Sequence, residues 1–219
     1  MAAILWILKE GTSWRSLDAP NISWQTVYGH FRRWSTSGVW EAAMQLMPWK
    51  HDEERLRMVD STHIKVHRDG ANPAGGQQHQ AMGRTKGGLN TKLHVSTDRH
   101  CQPKSLILTA GSQADVIHAP SLIEDSVGKI AIMDKAYDSN YLREFLEQRG
   151  IGACIPSKSN RLVPIAHDDQ TYKKRHAVEN FFEKIKRCRR VATRYDKTDV
   201  SFMAFVYLAC CVLALRDQF

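Results

Sequence analysis

The sequence contains no apolar run long enough to cross a bilayer. The longest, Val200 to Leu215, is closed off by Asp199 and Arg216, whereas a helical span needs about 20 residues. It reads as a buried core helix, and no membrane partner is expected. The opening MAAILWILKEGTSW is apolar but has no basic leader and no small-residue cleavage site, which argues against a secretory signal. Cysteine is sparse. The five, Cys101, Cys154, Cys188, Cys210 and Cys211, make no C-x-x-C pair and are odd in number. Neither a zinc site nor a disulfide framework is expected, and the thiols read as reduced, as in a cytoplasmic protein. The ten histidines offer no convincing metal-ligand spacing. His63 and His67 are four apart, but in a strand-like stretch, where that spacing is not a helical ligand pair.

What is present is positive charge. Thirty-one Lys and Arg stand against twenty-three Asp and Glu, a net charge of +8, so a polyanionic partner is expected, nucleic acid first. The 219 residues suit one medium domain, or a main domain with a small appendage.

Residues 1–48 read as helical. Ile4, Leu5 and Leu8 recur at helical spacing, and Asn21 and Ser23 are helix-start residues. After them Trp24, Val27, Tyr28, Phe31 and Trp34 share one face, with His30, Arg32 and Arg33 off it. Gly38 punctuates, and Val39 to Met47 forms a last short helix. Helix, turn, helix with basic residues on the second fits a small DNA-binding module. A plain helical bundle with a basic solvated face fits equally well.

Pro48 to Glu54 is a polar linker, and the texture changes after it. Leu56 to His67 alternates as a strand. Asp69 to Gly88 is rich in Gly and Gln and reads as a mobile loop. Thr91 to Thr97 and Lys104 to Thr109 are strands, and Ala114 to Asp125 is a helix. Lys129 to Asp134 is a strand buried on both faces. Ser139 to Arg149 is a helix ended by Gly150, and Ala153 to Pro156 is a short strand. Tyr172 to Arg190 is a long basic helix. Three close strands followed by strands reached through helices give the element order of a ribonuclease H-like α/β fold, a mixed sheet flanked by helices. The expected division is a helical segment at 1–48 and a catalytic domain at 55–219.

Phosphodiester chemistry with two metal ions needs acids converging from separate elements. Asp134 closes a buried strand, where α/β sites form. Asp138 is its competitor, although it stands just before a helix and suits capping. Asp60 lies inside the first strand, an unusual place for a poor strand former. The third acid should come from the basic helix. At about 100° per residue, Tyr172, Arg175, Glu179 and Lys186 fall in one stripe roughly 60° wide, bordering the apolar face of Val178, Phe181, Phe182 and Ile185. Lys186 and Arg190 extend the stripe with positive charge suited to phosphates. Glu183 is the rival acid, though it can pair along the helix with Arg187.

Taken together, the stretches MVDSTHIKVHRDG, GRTKGGLNTKLHVSTD, AIMDKAYDS, ACIPSKSNR and YKKRHAVENFFEKIKRCRRVATRYDKT resemble the bacterial insertion-sequence transposases of the DDE class. The likeness is to the insertion sequence five family in particular, within the IS4-like superfamily. That family's signature is Tyr, two residues, Arg, three residues, Glu, six residues, Lys. It is matched in spacing by Tyr172, Arg175, Glu179 and Lys186, which selects Glu179 over Glu183. VDST matches the motif of the first aspartate and MDKAYDS that of the second. Ala136 stands where the family commonly has Gly.

The resemblance implies a DNA transposase in which Asp60, Asp134 and Glu179 hold two Mg²⁺ ions, with Mn²⁺ able to substitute. Water would cut the element's end, and the freed 3′-hydroxyl would attack target DNA. Arg175 and Lys186 would hold phosphates or balance the acids. Arg84 and Lys86, in the Gly-rich loop, would order on DNA. The expected partner is double-stranded DNA, terminal inverted repeats and target, bound by a homo-oligomer associated with the nucleoid. The family usually carries more residues ahead of the helical segment, so that segment is expected to be shortened. The alternative is then an inactive DNA-binding remnant acting as a repressor.

Overall fold

The computed structural model describes residues 1–18, 20–50 and 55–216; positions 51–54 of the expected linker lie outside the described residues. In chain order the elements are α1 (Ala2–Glu10), α2 (Trp24–Thr36), α3 (Val39–Gln45), β1 (Leu56–Val66), β2 (Gly83–Thr85), β3 (Gly88–Thr97) and β4 (Pro103–Ala110). There follow α4 (Ala119–Leu122), β5 (Ile130–Ile132), α5 (Asn140–Gln148), β6 (Gly152–Cys154), α6 (Asp169–Lys173), α7 (His176–Lys186), α8 (Arg189–Ala192), β7 (Thr193–Arg194) and α9 (Asp199–Arg216). The strands form one sheet in the order β2-β3-β1-β5-β6, with β4 also on β3 and β7 on β1. β5 runs parallel to β1, and β6 parallel to β5. Read across as β4, β3, β1, β5, β6, this is the strand order of a ribonuclease H-like fold.

The chain gathers into two compact units. One takes Met1–Trp49, His63–Thr91 and Glu183–Phe219, the other Lys50–Thr62 and Lys92–Phe182.

In the second unit the buried strand residues Val59, Ala131 and Met133 pack with Ala119, Leu122 and Ile123 around α4, Leu142 and Leu146 of α5, and Ile151 and Ile155 beside β6. Helix α5 begins where Ser139 accepts the Leu142 amide at 3.2 Å. It ends at Gly150, whose φ of 64° lets the Gly150 and Ile151 amides turn back onto Glu147 O and Leu146 O. The helix expected over Ala114 to Asp125 is reduced to a 3-10 turn at Asp115–Ile117 and the four residues of α4. Pro120, in the first turn of α4, has no amide to continue a preceding helix.

The first unit is built on α9. Its apolar sequence is buried on nearly all sides, and among the described residues no helix is long and apolar enough to cross a membrane. Phe205 stacks on Phe31 of α2 at 4.4 Å between ring centroids. Trp14 lies 5.1 Å from Phe31, and Trp34 meets Trp40 edge-on at 5.5 Å. Ser23 caps α2 by accepting the Thr26 amide.

Three further expectations need correction. The Gly- and Gln-rich stretch is not one open loop. It carries 3-10 turns at Arg68–Gly70 and Gln77–Gln80 and the strand β2. It is tied down where Gln77 Nε2 donates to Ala71 O and Gln80 Oε1 accepts the Asp199 amide. The long basic helix is three helices, α6, α7 and α8. The amides of Lys174, Arg175, Ala177 and Val178 each bond the carbonyl three residues back, a tightening that breaks the regular α-helical ladder.

Arg190, expected to face phosphates, is instead buried at 4% exposure. Its guanidinium forks onto Asp196 at 2.8 and 3.1 Å, donates to Thr12 O at 2.9 Å and lies over Tyr195 and Phe205. A guanidinium this enclosed holds the helices together. Removing its partner would strand a buried charge. Asp196→Ala is therefore expected to lower the unfolding free energy by about 3–5 kcal/mol, read as an earlier urea midpoint with an unchanged slope.

Candidate active site

Strand β1 is buried from Leu56 to Val59, and the burial relaxes at Asp60. Its last register partner on β5 is Met58 opposite Ile132. Asp60 and Asp134 thus each stand two residues beyond the same rung, at neighbouring strand positions. The Asp60 carboxylate is partly buried and accepts the Ser61 amide on Oδ1 at 2.8 Å. Asp134 turns the chain out of β5, its Oδ1 accepting the Ala136 amide at 2.8 Å.

Arg175 sits at the break between α6 and α7, with its guanidinium among the acids. Nη1 donates to Asp60 Oδ2 at 2.7 Å and Nη2 to Glu179 Oε1. The other Glu179 oxygen pairs with His176 Nδ1 at 2.8 Å. Tyr172 presents its ring to the same guanidinium at 5.9 Å. The charges shift one another. Burial drives the Asp60 carboxyl up, and Asp134 adds to the rise. The Ser61 amide and Arg175 pull it back without cancelling it. Burial acts to lower Arg175, but Asp60, Glu179 and Asp134 outweigh it, so the guanidinium is held more firmly protonated than usual. Two of the three acids, Asp60 and Glu179, therefore share one cationic partner, and Asp134 acts on it only through space. The three are not drawn into a common ligand shell, and among the described residues no three Asp, Glu, His or Cys side chains stand close enough to hold one ion.

Asp138, the competitor of Asp134, does other work. Ser139 is the helix cap, and Asp138 is buried against Arg143 Nε at 2.8 Å, both arms of Arg161 at 2.8 Å and the Lys158 amide at 2.9 Å. Glu183, the rival of Glu179, pairs with Arg187 at 2.9 Å along the helix. Of the cations expected at DNA, Arg32, Arg33, Arg84 and Lys86 are exposed. Lys186 is half-buried, its Nζ 3.4 Å from His63 O, and burial lowers its pKa. Sequence reasoning missed His176, and also a polar network behind Asp60 in which Asp115 meets Ser61 and Lys92. His176 lies inside the signature, between its Arg and its Glu, so spacing alone could have raised it. A buried lysine in a strand gives no signal in one sequence.

The family described as "Transposase DDE domain" matches residues 51–214. The chain belongs to the DDE transposases. Residues 1–44 match a second family, "Putative transposase of IS4/5 family", so this is a transposase of the insertion-sequence type. A curated relative from Brucella ovis, "Putative transposase for insertion sequence element IS6501", is 39% identical over 131 residues, which is 58% of this chain and all of that protein. Among solved structures, the Mos1 transposase paired-end complex with left transposon end overlaps 86% of this chain and 78% of its own at 12% identity and a TM-score of 0.32. A pre-cleavage Mos1 transpososome overlaps 99% and 77% at 12% identity and 0.34. The fold of the transposase rests on its own strand order and not on these overlaps.

The Asp138 clamp gives a pH signature. Burial acts to raise its carboxyl, but Arg161, the Lys158 amide and Arg143 hold it well below the usual carboxylate range. Its stabilisation is complete above the unfolded aspartate value of about 3.9 and drains as pH falls below that toward the folded value. Asp138→Asn is expected to lose about 1–3 kcal/mol at pH 7, from charge-assisted hydrogen bonds. It should also flatten the dependence of melting temperature on pH below about 4.

Proposed function

We propose that this transposase cuts DNA at the ends of its element and joins the freed 3′ ends to target DNA, with Asp60, Asp134 and Glu179 as the metal ligands. The observation that carries the reading is Arg175. One guanidinium bonds Asp60 and Glu179, and Asp134 stands beside Asp60 at the neighbouring strand position, so acids from β1, the end of β5 and α7 lie around one positive charge. Oxygen-only donors around such a position suit a hard divalent cation, Mg²⁺ first and Mn²⁺ as substitute. A bound ion pair there would supply Lewis-acid activation of water or of a 3′-hydroxyl and would steady the leaving oxygen.

The chain's own residues complete the chemistry. Ser61 and Ala136 fix one oxygen each of Asp60 and Asp134 by backbone amides, and the second Asp60 oxygen would become available to an ion once Arg175 released it. Arg175, released from its carboxylates, would meet a phosphate, and Tyr172 would support it from behind. Lys186 would serve phosphates too. The helical segment at 1–48, with Arg32 and Arg33, and the β2–β3 turn with Arg84 and Lys86 would grip double-stranded DNA, at terminal repeats or target. A homo-oligomer would bring two ends together.

Asp134→Asn is expected to abolish cleavage of an end-bearing duplex in Mg²⁺ while leaving its affinity for that duplex unchanged. If affinity fell in step with cleavage, the ligand role would be lost. Joining of precut ends to a plasmid should fail in the same variant. Binding should weaken linearly in log–log plots against salt, and Arg32→Ala and Arg33→Ala should each reduce that slope by about 1.

A further inference from the structure

Behind Asp60, within the second unit, lies a polar network that the chemistry above does not use. Ser61 faces two ways. Its amide donates to Asp60 Oδ1 at 2.8 Å, and its hydroxyl donates to Asp115 Oδ1, also at 2.8 Å. The same Asp115 oxygen receives Lys92 Nζ at 2.8 Å and has His94 Nδ1 at 3.6 Å. Lys92 is only 5% exposed, and it also donates to Gln113 O at 2.7 Å. His94 is fully buried and anchored by Thr109 Oγ1 at 2.8 Å.

Lysine is almost never buried to this degree without a partner. A buried ion pair, moreover, contributes little stability that well-packed apolar side chains would not also supply. What the pair does supply is direction. Lys92 and the Ser61 hydroxyl meet the same Asp115 oxygen, so the pair holds that oxygen toward Ser61. That fixes the side chain of the residue whose amide holds Asp60. Lys92 also balances the Asp115 charge, so this fourth acid does not compete for a cation near Asp60 and Asp134.

We propose that Asp115, oriented and charge-balanced by Lys92, is a positioning residue for Asp60, acting through the Ser61 hydroxyl. The inference rests on the reading of Asp60 as a metal ligand. Support around a metal ligand typically changes affinity or activity 10–100-fold when removed.

The test is Mn²⁺ binding to the full chain, followed by the loss of the free-ion electron paramagnetic resonance signal, together with kcat and KM for end cleavage. The variants are Ser61→Ala, Ser61→Thr, Asp115→Asn, the Ser61→Ala/Asp115→Asn double variant and Asp60→Asn. Ser61→Ala and Asp115→Asn should each weaken Mn²⁺ binding about tenfold and lower kcat with KM for DNA unchanged. Ser61→Thr, which keeps the hydroxyl, should restore binding. The double variant should be no weaker than either single one, because both break the same link. Mn²⁺ affinity unchanged in Ser61→Ala overturns the proposal. So does a double variant whose loss is the product of the two single losses, since Asp115 would then act independently, as a ligand or as structure. If Asp115→Asn does not fold, Ser61→Ala decides alone. Asp60→Asn separates the two readings. If it too leaves affinity unchanged, the ligand assignment falls and takes this one with it. If it weakens binding while Ser61→Ala does not, only the positioning role falls.

Discussion

Carboxylates crowded into a partly buried cleft raise one another's proton affinity unless a cation stands among them. Asp60 is in that position, with Asp134 at the neighbouring strand end, and Arg175 pulls the Asp60 carboxyl back without cancelling the rise that burial imposes. Its planar fork satisfies Asp60 with one arm and Glu179 with the other, a geometry that a lysine could not provide. The break between α6 and α7 puts it there. A continuous helix through Arg175 would have kept it in line with the turns on either side. The tightened turns at Lys174 to Val178 instead place Arg175 at a helix start, with Glu179 one turn on.

A surplus of positive charge suggested nucleic acid, but several of the guanidinia are committed to pairs within the fold. Arg143 and Arg161 close on Asp138, Arg190 closes on Asp196, and Arg194 is fully buried against Thr91 and the Asp196 carbonyl. Net charge counts these guanidinia as if they faced solvent. The cations left in the open on the segments proposed to meet DNA are Arg32, Arg33, Arg84 and Lys86. A field built from few exposed groups is the kind that salt screens readily.

The strand pattern was legible because its physics is local. The KIAIM run read as a buried strand, of which the fold keeps Ile130–Ile132 with Ile130 itself exposed, and β1 and α5 announced themselves through alternation, a serine cap and a terminal glycine. Asp134 and Asp60 were legible as acids at odds with their surroundings, and Glu179 through signature spacing. Three things were illegible for a common reason, that they depend on partners distant in the chain. Arg190 looked like a phosphate ligand on a helix wheel, and only the fold brings Asp196 and Thr12 to it. Asp138 looked like a cap until Arg161 arrived from twenty-three residues away. The Asp115–Lys92 pair joins residues of no distinctive local pattern. Helix continuity failed for a different reason, since bonding to the third residue back instead of the fourth leaves almost no trace in side-chain periodicity.

The contact between Arg175 and Asp60 spans 115 positions, and this has a consequence during synthesis. A nascent chain that has displayed Asp60 and Asp134 to the cell still lacks the segment that balances and completes them. Until residues beyond Glu179 have left the ribosome, the acids have neither their guanidinium nor their third member. A ribosome stalled earlier would release a product with no assembled cleft. On the proposed chemistry, the capacity to cut DNA arrives only once the segment carrying Arg175 and Glu179 has been made.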